Sequence, residues 1–306
     1  MTPAIRTLVA GVASRDADDP VLPYASQLAN QHGATLHVVH AYVPTEVLVE
    51  AYAGMPVLDP VMQQQYQQAV QNGLEEAVRE HAGDGQVGDG QVVCRAISGS
   101  ASAAIGRVAS EVAAELIVVG ATRHGPVGRQ FLGTTAGRVI REAGAPVLVL
   151  RESPAAPVRR VLLANDLSEP STHAHHAGIE TARLLFGNPE LQFRSLLVIQ
   201  YDPWFSLPAD QQPLRDAAEA RLQRFLDEQR PHGVPLSTAV RIGNPSEEII
   251  KEAAEWKAEL VVVGTHGRSG LPRLLLGSVA EAVLRDAPCN TLVIPSAPAL
   301  RGQLPS

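Results

Sequence analysis

Apolar residues along the chain fall in short continuous runs, separated by longer stretches in which apolar positions recur every three or four residues. In the first half the runs are TLVAGV, ATLHVVHAYV, QVVCRAIS, LIVVG and VLVL. A continuous apolar run of this length suits a parallel strand covered on both faces, whereas a half-exposed strand would alternate. Helical periodicity predicts helices over residues 21–31, 62–81, 101–114 and 134–142. The second half repeats the order with VLLAN, LQFRSLLVIQ, LSTAVRI, LVVVG and TLVI, and with helices starting at Thr172, Leu214, Ser246 and Ser278. Strands alternating with helices imply βαβ units. The predicted fold is α/β: two doubly wound open domains, each a five-stranded, mainly parallel sheet with four helices.

The two halves are copies. RTLVA from Arg6 matches RVLLA from Arg160, and ELIVVGATRHGPVGRQFLGTTAGRVI from Glu115 matches ELVVVGTHGRSGLPRLLLGSVAEAVL from Glu259. Each copy then closes on Ala-Pro and an apolar strand. Between the copies, RESPAAPVR concentrates proline, which disfavours helix and central strand alike. A linker at residues 154–157 therefore divides a domain of residues 1–153 from one of residues 158–306.

Composition narrows the function classes. The 306 residues are 45% hydrophobic and 19% charged, with a formal net charge of −7. That is a globular composition, and its acidity argues against an electrostatic nucleic-acid binder. Two cysteines, Cys94 and Cys289, are too few for a disulfide-stapled secreted fold. No run approaches the ~20 apolar residues of a membrane helix. A cytoplasmic protein is expected.

In a doubly wound sheet, ligands sit at the carboxyl ends of the strands. There the second copy carries Gly264-Thr-His-Gly267, nine residues, then Gly277-Ser278. Glycine lets backbone amides approach an anion closely, and free N–H groups at a helix start favour phosphate. The same residues also fit a tight turn followed by a serine cap, and spacing alone leaves both readings open.

This pattern, followed by V-x-x-x-V-L, Ala-Pro and a final strand, resembles the universal stress protein family, as two tandem domains covering nearly the whole chain. The resemblance implies ATP binding in the second copy, with magnesium as a possible companion. It implies that Asp166, just after the first strand, contacts the adenosine, although Asp166 could instead cap the next helix in competition with Ser168. It implies that backbone near Ala164, and near Ile199 or Gln200, lines the adenine slot. Gly264, Thr265 and Gly267 would face ribose and α-phosphate, and Gly277, Ser278 and Val279 the outer phosphates. Arg268 and Arg273, in the loop between, either add charge or form a solvated surface.

The first copy departs from the pattern. Val12 stands where the second copy has Asp166, and Arg123 where it has Gly267, while Gly120, Gly133 and Thr134 are kept. This copy is read as a degenerate, empty site, with anion binding by Arg123 or simple support of the pair as alternatives.

Other features point less clearly to chemistry. GDGQVG at residues 83–88 follows a helix and precedes a strand, the reverse of a dinucleotide fingerprint, and is expected to be a loop. His173, His175 and His176 are expected to be solvated or capping. His124 and His266 lie in the glycine loops, without a partner visible in the sequence. Neither a P-loop nor a nucleophile elbow is present. The expected function is an ATP-binding stress-response or signalling protein, not an enzyme, with little or no hydrolysis. A weak ATPase or nucleotide-transferring enzyme, and a nucleotide-free interaction module, are the alternatives. The family resemblance further implies that the two domains pair through their last strands as a pseudo-dimer, with homodimerisation of chains left open.

Overall fold

The computed structural model describes residues 4–13, 19–43, 60–82, 86–87, 90–121, 133–153, 158–201, 210–229, 234–267 and 276–296. These fall into two compact units, the first ending at Ser153.

In unit 1 the elements are β1 (Thr7–Gly11), α1 (Val21–His32), β2 (Thr35–Tyr42), α2 (Pro60–Ala82), β3 (Gln86–Val87), β4 (Gly90–Ser98), α3 (Ala101–Glu111), β5 (Leu116–Gly120), α4 (Thr134–Glu142) and β6 (Val147–Leu150). The sheet order is β3-β4-β2-β1-β5-β6. All pairs are parallel except β3–β4, in which Gln86 pairs with Gln91 and Val87 with Gly90. The duplicated GDGQV segment, expected to be a loop, thus adds a two-residue antiparallel edge strand. Two residues carry too little pattern for periodicity to register. α3 also stops at Glu111, three residues short of expectation, and Ala113 turns into the left-handed region at φ 49°.

Unit 2 contains β7 (Arg160–Asn165), α5 (Glu169–Phe186), β8 (Gln192–Ile199), α6 (Gln212–Gln229), β9 (Leu236–Ile242), α7 (Pro245–Glu255), β10 (Leu260–Gly264), α8 (Ser278–Asp286) and β11 (Asn290–Ile294). Its five strands run parallel in the order β11-β10-β7-β8-β9. α5 begins three residues before the expected Thr172, because Ser168 accepts the Ser171 N–H as an N-cap and Pro170 fits the first turn.

Each core is built from the apolar strand runs. Leu8, Leu36, Leu116 and Ile117 are fully buried in unit 1, as are Phe193, Leu162, Leu163 and Ile179 in unit 2. Each such side chain contributes about 1.5–3 kcal/mol over its exposed state.

The repeat extends to polar detail. Glu115, just before β5, accepts the N–H groups of Arg6 and Thr7 at the start of β1. Glu259, just before β10, accepts those of Arg159 and Arg160 at 2.8 and 2.9 Å. Each carboxylate thereby sets the register at which the two strands enter the sheet. Among the described residues no helix is long and apolar enough to cross a membrane.

Candidate functional site

The turn after β7 is fixed by side chains. Asn165 Oδ1 accepts the Leu167 N–H at 2.8 Å and the Ser171 hydroxyl at 3.1 Å. Ser171 Oγ in turn accepts the Asp166 N–H at 3.1 Å. Asp166 Oδ1 accepts both the N–H and the hydroxyl of Ser168. Leu167 is held at φ 60°, a conformation costing about 1–2 kcal/mol for a residue with a Cβ. Its side chain is anchored against the cluster of Leu197, Leu222 and Leu226, on the α6 side of the sheet. Asp166 is therefore not an N-cap: Ser168 caps α5, and the Asp166 carboxylate braces Ser168.

The glycine loop meets this turn. A Cβ on Gly267 would stand 2.6 Å from Asp166 Oδ2, and one on Gly264 would stand 3.0 Å from the Ala174 Cβ. Both positions thus need glycine for close approach rather than for a left-handed turn. Gly277 donates its N–H to the Thr265 carbonyl at 2.9 Å, which pins the start of α8 beneath the loop. Gly277 is the N-cap of α8, and among the described residues no side chain caps that helix. The reading of Ser278 as a cap is thereby corrected: Ser278 is already inside the helix. The first-turn N–H groups of an α-helix have no intrahelical acceptor and form the positive end of its dipole.

Thr265, 5% exposed, accepts the Ser296 N–H at 3.1 Å. His266 Nδ1 lies 2.9 Å from both the Thr265 and Ser296 hydroxyls. Ser296 is thirty residues from His266 in sequence, so no local spacing revealed this partner.

These groups surround a cavity of about 430 Å³ at the carboxyl ends of β7, β8 and β10. This is within the ~300–1,000 Å³ range of small-molecule sites. Of the residues singled out in the sequence, Ala164, Asp166, Gly264, Thr265, Gly267, Gly277, Ser278 and Val279 all line it. Its apolar side is made by Leu196 and Val198 of β8 and by Pro245 and Ile249 of α7. Ile199 does not line the cavity; Val198 and Gln200 do. Side chains alternate across a strand, and the carbonyl of Ile199 is taken by the Gly243 N–H at 3.0 Å. Arg268 and Arg273 lie outside the described residues, as do Arg123 and His124.

Asn165 also lines the cavity, and sequence reasoning passed over it. It is 6% exposed, and its Nδ2 is buried with no hydrogen-bond partner among the described residues. Leaving a buried donor unpaired costs about 1–3 kcal/mol.

α7, which carries the apolar wall, is clamped to the sheet. Buried Glu252 accepts from Arg194 of β8 at 2.7 Å and from Arg241 of β9 at 2.6 Å. Arg194 also stacks over Trp256, 4.4 Å from the ring centroid.

His173 and His176 are exposed, but His175 is not. It is 1% exposed, meets Phe225 edge-on at 5.6 Å, and neither ring nitrogen has a hydrogen-bond partner among the described residues. Burial, reinforced by His176, lowers its pKa to about 4. The expectation that all three are solvated or capping fails for this residue, because α5 turns it towards α6.

In unit 1 the matching strand end is built differently. Gly11 aligns with Asn165, and Ile105 closes over it so tightly that a Cβ there would lie 2.3 Å from Ile105 Cδ1. A separate cavity of about 410 Å³ lies under α2, bounded by Val12, His40, Ala69, Gly73 and Leu74. His40 Nδ1 donates to the Val12 carbonyl at 2.9 Å.

Comparison with known proteins agrees with the fold. The family model described as "Universal stress protein family" matches twice, over residues 4–151 and 157–295. A universal stress protein of Mycolicibacterium smegmatis is 28% identical over 300 residues, covering 94% of this chain and 96% of that protein. One from Methanocaldococcus jannaschii is 30% identical over 142 residues, 44% of this chain and 81% of that protein. A Mycobacterium tuberculosis universal stress protein is 31% identical over 59% of this chain, and the match spans 61% of its own length. Among solved structures, a universal stress protein from Archaeoglobus fulgidus superposes with a TM-score of 0.62 at 16% identity, covering 94% of this chain and 98% of its own. Two family-model matches, one in each unit and together spanning most of the sequence, place this chain in the universal stress protein family as a tandem two-domain member.

Proposed function

We propose that unit 2 binds ATP in the 430 Å³ cavity and that the protein acts as a cytoplasmic, nucleotide-responsive stress or signalling protein with little or no hydrolysis. One observation carries the reading: a single cavity brings together the Asp166 carboxylate, the Gly264–Gly267 backbone and the uncapped start of α8. Each matches a part of the ligand. Leu196, Val198, Pro245 and Ile249 offer apolar walls for a flat base. Asp166, with Oδ1 engaged by Ser168, can accept from a ribose hydroxyl. The loop amides and the N-terminus of α8 suit phosphate oxygens. These groups position a triphosphate rather than activate water, which supports binding over turnover.

Calorimetry of the full chain with ATP and magnesium tests this. About one site per chain, abolished by Gly277→Glu, is the expected result. No heat at millimolar ATP would sink the proposal, and about two sites would contradict the assignment of unit 1 as empty.

A further inference from the structure

Unit 1 keeps open a space that unit 2 fills. Arg6 and Arg159 are equivalent: each donates its N–H to the glutamate ahead of β5 or β10, and each offers its carbonyl to the start of the second strand, at Thr35 or Gln192. His40, five residues beyond Thr35, therefore stands where unit 2 has Leu197, five beyond Gln192. Leu197 is packed under α6 by Leu222 and Leu226, with Leu167 and Phe225 against them. Under α2 the matching region is the cavity of about 410 Å³. Ala69, Gly73 and Ala77, spaced four apart on one helix face, leave it unfilled. Glycine is disfavoured inside a helix, yet Gly73 lies well within the 23-residue α2. The helix is held from settling inward. Gln71 Nε2 donates to the Cys94 carbonyl at 3.1 Å, its Oε1 accepts the Ala96 N–H at 2.9 Å, and Tyr66 meets Tyr42 edge-on at 5.6 Å.

We propose that this cavity binds a small, uncharged aromatic alcohol whose hydroxyl donates to His40 Nε2. The inference does not depend on the nucleotide reading of unit 2. Val12, Val70 and Leu74 give apolar walls, and among the described residues no acidic or basic chain other than His40 lines the cavity. The volume is that of a small-molecule site, and a rigid ring system fills such a space at little cost in conformational entropy. His40 is the one polar side chain on the described lining. Its Nδ1 lies 2.9 Å from the Val12 carbonyl, an atom that can only accept, so Nδ1 carries the proton. Nε2 of the neutral ring can then only accept. The complementary ligand group is a hydroxyl on a flat apolar body; an ether oxygen at the same place would set acceptor against acceptor.

The test is equilibrium dialysis of the full chain against 1-naphthol and its methyl ether, 1-methoxynaphthalene. Wild type is expected to bind about one 1-naphthol per chain, and the ether about tenfold more weakly. His40→Leu, which copies the residue of unit 2, should lose about tenfold for 1-naphthol and change little for the ether. Gly73→Leu places a side chain in the cavity and should abolish binding of both. No binding of 1-naphthol by wild type up to its solubility limit would overturn the proposal. Equal affinities for the alcohol and the ether, or an unchanged affinity in His40→Leu, would also overturn it, because the ring would then donate nothing to recognition. Binding that survives Gly73→Leu but is displaced by ATP would place the probe in the cavity of unit 2 and overturn it as well. If Gly73→Leu fails to fold, Ala77→Leu takes its place, and the comparison of alcohol with ether in wild type and His40→Leu still decides the matter.

Discussion

Asp166 Oδ2 and the Cα of Gly267 are so close that a methyl group added to the glycine would stand 2.6 Å from the carboxylate oxygen. The carboxylate is held from its other side by Ser168, so it cannot simply swing away. Gly267→Ala should therefore destabilise the chain by about 1–3 kcal/mol, the range for overpacking. The same substitution in an Asp166→Ala background should cost well under half as much. Urea denaturation of the four proteins in this cycle measures the coupling, and equal costs in both backgrounds would show that the contact is not what demands glycine.

Acid should weaken the fold through His175. Its imidazole is buried neutral with a pKa of about 4, against 6.5 when exposed. The unfolded chain therefore binds the proton more readily than the folded one. The stability from keeping this ring neutral is fully present above about pH 6.5 and is lost as pH falls towards 4. Two and a half pH units at ~1.4 kcal/mol each give a loss of about 3 kcal/mol. Denaturation at pH 4.5 and pH 7.5 should show wild type losing markedly more stability than His175→Leu. Parallel losses would mean that another group governs the acid limb.

The clamp on α7 predicts a large effect from one carboxylate. Glu252 is 5% exposed and joins two guanidinium groups from adjacent strands. Glu252→Ala leaves Arg194 with its ring contact and Arg241 with Glu248 and Glu255, so the cost should fall below that of a fully orphaned charge. About 2–3 kcal/mol is expected by chemical denaturation, compared with under 1 kcal/mol for the exposed Glu111 pair of unit 1. A loss as small as that of Glu111→Ala would make the clamp ornamental.

Glu259 offers a test of strand registration. Glu259→Gln keeps an oxygen for one of the two backbone N–H groups but loses the charge, and should cost about 1–2 kcal/mol. Glu259→Ala should cost more. Hydrogen exchange at Arg160 should quicken in both variants, and unchanged exchange would show that the strands register without the carboxylate.

Much of this was legible in the chain itself. Duplicated runs such as ELIVVG and ELVVVG encode buried parallel strands, and glycine spacing encodes where the chain must come close to itself. What stayed hidden depends on direction and distance. Ile199 and its neighbours Val198 and Gln200 differ by a single residue, yet strand alternation decides which face the cavity. His175 sits among two exposed histidines, and only the packing of α5 on Phe225 distinguishes it. Ser296 meets His266 only because β10 and β11 run side by side. Asn165 looks like an ordinary polar residue at a strand end until its hydrogen bonds are counted.

Leu167 touches two regions at once. Its backbone forms the bend that presents Asp166, while its side chain is gripped by the leucines beneath α6 on the far side of the sheet. A residue so fixed at both ends works as a lever through the sheet. A shift of α6 would therefore press on the bend through this side chain, alongside the His175–Phe225 contact between the two helices.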